Sequence, residues 1–152
     1  MRILVVEDDH HQAYWIGTSL LEGLPGAQIR RISTELGFRS RLADIADDPP
    51  DVIIMDIMLR WTDPSPDLQE PPADVRKDGF YAAGLRCERL LAENERTSGI
   101  PVIFYTVLEE SDVHQKQPTL RENVHYLPKE SDPKPLIDKV REVTSSNRGS
   151  VS

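Results

Sequence analysis

One carboxylate stands inside the most apolar run of the chain, Val52-Ile53-Ile54-Met55-Asp56-Ile57-Met58-Leu59, and it constrains the fold more than any other feature. A short run of branched residues, apolar at successive positions, predicts a strand covered on both faces, as in a parallel sheet flanked by helices. Asp56 then falls at or near the carboxyl end of that strand. An ionised side chain without partners in such surroundings is strongly disfavoured or loses its charge, so other residues must converge on it.

The rest of the chain repeats the pattern. Ile3-Leu4-Val5-Val6 is a second buried strand, stopping at Glu7-Asp8-Asp9. Ala13, Ile16, Leu20, Leu21 and Leu24 follow helical spacing as far as Pro25-Gly26. Ala27 to Ile32, with two arginines, reads as a strand near a sheet edge. Phe38, Leu42 and Ile45 predict a second helix, closed before Pro49-Pro50. Phe80, Ala83, Gly84, Cys87, Leu90 and Leu91 mark one face of a third helix, with Cys87 as a packing residue. Val102 to Tyr105 is a fourth strand ending at Thr106, and Val124 to Leu127 a fifth ending at Pro128-Lys129. Between them, Pro118 shortens or breaks any helix over 109–122. Asp132 is the expected N-cap of a last helix, with Pro133 first and Leu136, Ile137, Val140 and Val143 on its face. Five strands alternating with helices imply an open, mostly parallel α/β sheet with helices on both faces.

Two segments stand apart. Residues 60–77 carry Pro64, Pro66, Pro71 and Pro72 without periodicity, and predict an insertion holding no core element, either a surface loop or a lid. Residues 145–152 are small and polar, and read as a frayed terminus or the start of a linker.

In such a sheet, ligands bind beyond the carboxyl ends of the strands, where the strand order reverses. The residues ending the strands here are Glu7 and Asp8, Asp56, Thr106 and Lys129. Three carboxylates on one edge repel one another unless a hard divalent cation with oxygen ligands joins them, and magnesium is the expected ion. Lys129 adds a positive charge and Thr106 a hydroxyl, a combination that suits a phosphoryl group. His10 and His11, adjacent at a helix start, are expected to be exposed rather than ligands. Direct nucleic-acid binding is disfavoured, since 18 Lys and Arg against 26 Asp and Glu leave a net charge of −8. The lone Cys87 excludes an internal disulfide framework and suits a reducing, cytoplasmic setting; no run approaches membrane length. No glycine-rich loop follows a strand, against a nucleotide-binding module. A phosphohydrolase with an aspartate nucleophile would need a second aspartate two residues on, where Met58 stands.

Taken together, these motifs resemble those of the receiver domains of two-component response regulators, over about residues 1–144 apart from the insertion. The resemblance implies the flavodoxin-like fold, a five-stranded parallel sheet with helices on both faces. It implies Asp56 as phosphoacceptor, with Lys129 and Thr106 assisting. It implies Mg2+ held by Glu7, Asp8, Asp56 and the backbone carbonyl of Met58, and a conformational switch through Thr106 and Tyr126. The implied partners are a sensor histidine kinase or histidine phosphotransfer protein as donor and a downstream protein effector, with no membrane and no nucleic acid. The chain is then a signalling receiver rather than an enzyme acting on other substrates. The face made by the fourth helix, fifth strand and last helix would carry output or a homodimer. The alternative is a pseudo-receiver, a phosphorylation-independent interaction module of the same fold. Three positions depart from the family pattern: Glu130 follows Lys129 where a cis proline is usual, Arg60 replaces a proline, and Val107 replaces a small residue.

Overall fold

The computed structural model describes residues 1–63 and 70–149. Its five strands are β1 (Arg2–Val6), β2 (Gln28–Ile32), β3 (Val52–Met55), β4 (Val102–Thr106) and β5 (Val124–Pro128). They form one sheet in the order β2-β1-β3-β4-β5, every neighbouring pair parallel. The expected flavodoxin-like sheet is therefore present, with β2 at one edge.

Alternation along each strand divides the core in two. Leu4, Val6, Ile53, Met55, Val102 and Phe104 point to one face, joined by Phe38, Ile45, Leu85, Cys87, Leu91 and Val113. These come from α2 (Glu35–Ser40), α3 (Leu42–Asp47), α5 (Ala83–Ala92) and α6 (Glu110–Lys116). Ile3, Val5, Val52, Ile54, Ile103 and Tyr105 point to the other face, where α1 (His10–Gly23) brings Ile16 and Leu20 and α7 (Lys134–Gly149) brings Leu136, Val140 and Val143. All four residues of β3 are buried, as their unbroken apolar run requires.

Helix α1 starts at the histidine pair, with the Asp9 carboxylate capping it by accepting from the Gln12 amide at 2.9 Å. Several expectations need correction. Leu21 is exposed rather than part of the buried face. The single helix expected around Phe38 to Ile45 is two short ones, since Arg41 (φ −106°, ψ 9°) leaves helical geometry. Phe38 and Ile45, on either side of the break, stay buried, while Leu42 is only partly buried. The third helix is preceded by a 3-10 turn, Phe80–Ala82, which leaves Phe80 exposed.

The insertion is also not free of structure: α4 (Ala73–Asp78) lies within it. Val75 is buried, Asp74 pairs with Arg39 at 3.0 Å, and Gly79 (φ 69°) ends the helix in the left-handed region. A six-residue helix with one buried apolar side chain leaves no periodicity to read. Residues 64–69 of the expected insertion and 150–152 of the expected polar tail lie outside the described residues. Helix α7 continues through 145–149, where a frayed terminus was expected. Among the described residues, no helix is long and apolar enough to cross a membrane.

Candidate functional site

The sheet's own hydrogen bonds place the strand-end residues. The Glu7 amide donates to Ile32 O at 3.1 Å, the Asp56 amide to Val6 O at 3.0 Å, and the Lys129 amide to Thr106 O at 2.9 Å. Each ladder thus runs one step past its strand, and the side chains of Glu7, Asp56 and Lys129 emerge at the same edge. The strand order reverses between β1 and β3, so Asp56 stands beside the crevice that such sheets use for ligands.

Asp56 is 6% exposed and fully engaged. Its Oδ1 accepts from the amides of Ile57 at 2.7 Å and Met58 at 3.3 Å, and its Oδ2 accepts from Lys129 Nζ at 2.9 Å. The same ammonium reaches Glu7 Oε1 at 2.5 Å. Glu7 Oε2 accepts from the Asp9 amide at 3.2 Å. The partner that Asp56 requires is therefore the partly buried Lys129, shared with Glu7.

The electrostatics follow from this sharing. Burial pushes the Glu7 carboxyl up to about 7, reinforced by the nearby charge of Asp56 and opposed by Lys129. Burial by itself lowers the Lys129 ammonium, but Asp56 and Glu7 more than offset it, and its pKa lies above the ordinary lysine value. Asp8 is set differently. Its Oδ2 accepts from the Arg60 amide at 3.0 Å and lies 3.7 Å from Arg60 Nε.

These groups open onto a cleft of about 780 Å3, whose walls include Asp8, Trp15, Met58, Phe80 and Val107. Glu7, Asp8, Asp56, Met58 and Lys129 all line this cleft. Thr106 ends β4 beside them but is fully buried, its Oγ1 accepting from the Leu108 amide at 3.2 Å. Val107, 65% exposed, stands on the cleft wall instead. Tyr126 is partly buried, and its hydroxyl donates to Leu108 O at 2.5 Å. Thr106 and Tyr126 therefore hold the two polar groups of one residue. His10 and His11 are exposed, and the Lys129–Glu130 peptide is trans.

The chemistry of the donor set fits a hard divalent cation: Glu7, Asp8, Asp56 and the Met58 carbonyl supply oxygen alone. Among the described residues, however, no three metal-ligating side chains are disposed around one point. Lys129 occupies Glu7 and Asp56 while Asp8 turns to Arg60, so an ion would require at least one of these pairs to open.

Sequence reasoning missed a buried pair behind the site. Arg86 Nε and Nη2 meet Glu35 Oε2 and Oε1 at 2.9 and 2.7 Å, and Nη2 also donates to Gly79 O at 2.8 Å. Arg39 Nη2 joins Glu35 at 2.9 Å. Glu35 and Arg86 sit in helices where charged residues ordinarily face solvent, so no local signal marks them.

No protein-family model matches the chain, and no curated protein matches it. Solved structures do. The signal receiver domain of a signal transduction histidine kinase from Syntrophus aciditrophicus is 23% identical at a TM-score of 0.65, covering 95% of this chain and 90% of that one. The signal receiver domain of a DNA-binding response regulator from Colwellia psychrerythraea is 19% identical at 0.68, covering 95% and 98%. The manganese-bound form of response regulator Rcp1 is 20% identical at 0.62, covering 95% and 91%. The chain has the fold of these receiver domains.

Proposed function

We propose that this chain is a phosphoacceptor receiver, phosphorylated on Asp56 by a histidine kinase or histidine phosphotransfer protein in a magnesium-dependent reaction. The observation that carries the reading is the Asp56–Lys129–Glu7 contact, which places a buried carboxylate and a partly buried ammonium in an open cleft.

The step is a displacement at phosphorus. A carboxylate oxygen of Asp56 forms an O–P bond as the N–P bond of the phosphohistidine breaks, and the bonding pair leaves on the imidazole nitrogen, which takes up a proton. The amides of Ile57 and Met58 fix the rotation of the Asp56 carboxylate. Lys129 Nζ, already beside Asp56, moves its charge onto the transferred oxygens. A divalent cation held by Glu7, Asp8, Asp56 and the Met58 carbonyl would neutralise further charge on those oxygens.

Signalling would run through Leu108. Turning the buried Thr106 hydroxyl toward a phosphoryl group would draw its oxygen away from the Leu108 amide that it now accepts, while Tyr126 holds the carbonyl of the same residue. Movement at Thr106 is thereby coupled to the loop between β4 and α6 and to Tyr126. The phosphoryl contact supplies the free-energy difference between the two packings. The face of α6, β5 and α7 would then present the change to a protein effector or a second copy of the chain, in a cytoplasmic setting.

The test is intact-protein mass after incubation with acetyl phosphate, with and without magnesium, for the wild type and Asp56→Asn. A magnesium-dependent gain of one phosphoryl group, absent from the variant, is the expected result. No gain in folded protein would replace this reading with the phosphorylation-independent interaction module.

A further inference from the structure

We infer that Arg60 is an internal cation that competes with a divalent metal for Asp8 and so sets the metal affinity of the acceptor site. This inference rests on the metal-dependent reading above and deepens it.

The pairing of charges carries the argument. Glu7 and Asp56 share Lys129, and Asp8 takes Arg60, so each of these three carboxylates has a cation supplied by the protein. Asp8 accepts the Arg60 amide through the same oxygen, Oδ2, that faces the guanidinium. An ion bound through that oxygen must take the place of the guanidinium, because two cations on one carboxylate oxygen repel.

Arg60 is placed for this by the fold. The amide of Glu35 donates to Arg60 O and the amide of Leu36 to Trp61 O, both at 2.9 Å, which fastens the segment to the start of α2. Ile57 and Leu59, just before it, are fully buried. The backbone of Arg60 is thus held beside Asp8, and only its side chain needs to move. That side chain is 53% exposed while the Asp8 side chain is 19% exposed, so the guanidinium can swing into water while the carboxylate stays in the cleft. A proline at position 60 would supply neither the amide donor nor the charge.

The experiment is binding of Mn2+ to the full chain, followed by the electron paramagnetic resonance of the free ion, with Mg2+ titrated by calorimetry. Wild type, Arg60→Gln, Asp8→Asn and the double variant are compared, each checked for folding by circular dichroism. Arg60→Gln keeps the amide and most of the side-chain length while removing the charge. It is expected to tighten metal binding about 3- to 10-fold at low salt, an effect that shrinks as ionic strength screens the guanidinium. In the Asp8→Asn background the same change is expected to do nothing. Equal affinity in wild type and Arg60→Gln, or an equal gain without Asp8, would overturn the inference while leaving a metal site intact. Absence of binding by every variant at millimolar metal would overturn the metal reading itself, and this inference with it.

Discussion

A Cβ placed on Gly84 would lie 2.4 Å from the carbonyl oxygen of Asp56 and 2.7 Å from the Cα of Ile57. Helix α5 therefore rests directly on the backbone of the loop that begins at Asp56, tied by the Gly84 amide donating to Ile57 O at 2.8 Å. Both neighbours are main-chain atoms, so no rotamer change can relieve an added methyl group. Gly84→Ala is expected to destabilise the fold by about 1–3 kcal/mol, the usual range for overpacking a tight core. Urea unfolding reads this as a lower midpoint at unchanged slope; a midpoint equal to wild type would show that the helix can lift off the loop without cost.

The Glu35–Arg86 pair joins α2 to α5 behind that loop. Removing the cation leaves Glu35, at 0% exposure, dependent on Arg39 alone. Arg86→Met is expected to cost about 3 kcal/mol, because one buried charge loses its bidentate partner. The double change Glu35→Leu with Arg86→Met is expected to recover most of this, since apolar side chains of similar size do not need desolvated charges to be paired. Denaturant curves for the two single variants and the double give the coupling. Additive losses would contradict a direct pairing.

The contrast between this pair and the site around Asp56 shows what a sequence makes legible. Glu7 and Asp56 each follow an apolar run that reads as a buried strand, and Lys129 follows a half-buried edge strand, so their shared edge follows from local pattern and parallel topology. Glu35 and Arg86 are 51 residues apart on helices, and only the tertiary fold brings them together. Arg60 was visible as a departure from the expected proline, yet its contact with Asp8 depends on the path of the chain after β3. Helix α4 and the break at Arg41 were hidden for a different reason, being too short for a 3.6-residue period to emerge.

Glu7 gives the metal-free protein a pH dependence. Its ordinary value of 4.5 is raised to about 7 in the folded chain, first by burial and then by Asp56. Between these values the native state holds a proton that the unfolded state has released, so this contribution to stability is complete below the unfolded value and is lost as pH rises through the folded one. In the presence of a chelator, unfolding midpoints are expected to fall across pH 4.5 to 7 more steeply in wild type than in Glu7→Gln, whose side chain cannot ionise. Parallel profiles for the two proteins would show that Lys129 already holds Glu7 ionised throughout that window.

Cys87 lies on the inner face of α5, fully buried, and burial raises its thiol far above the ordinary cysteine value. The thiolate is the reactive form, and its suppression adds to the steric barrier against reagents. Native protein is therefore expected to resist Ellman's reagent at neutral pH, with modification appearing only as the chain opens. Because α5 also carries Gly84 and Arg86, Gly84→Ala and Arg86→Met are expected to speed the labelling of Cys87 in native buffer by about tenfold for each ~1.4 kcal/mol of stability lost, provided opening and closing are fast relative to modification. Labelling that is rapid in the wild type, or indifferent to both variants, would mean that α5 detaches from the sheet independently of the global fold, and that the Asp56 loop in contact with it is not rigidly supported.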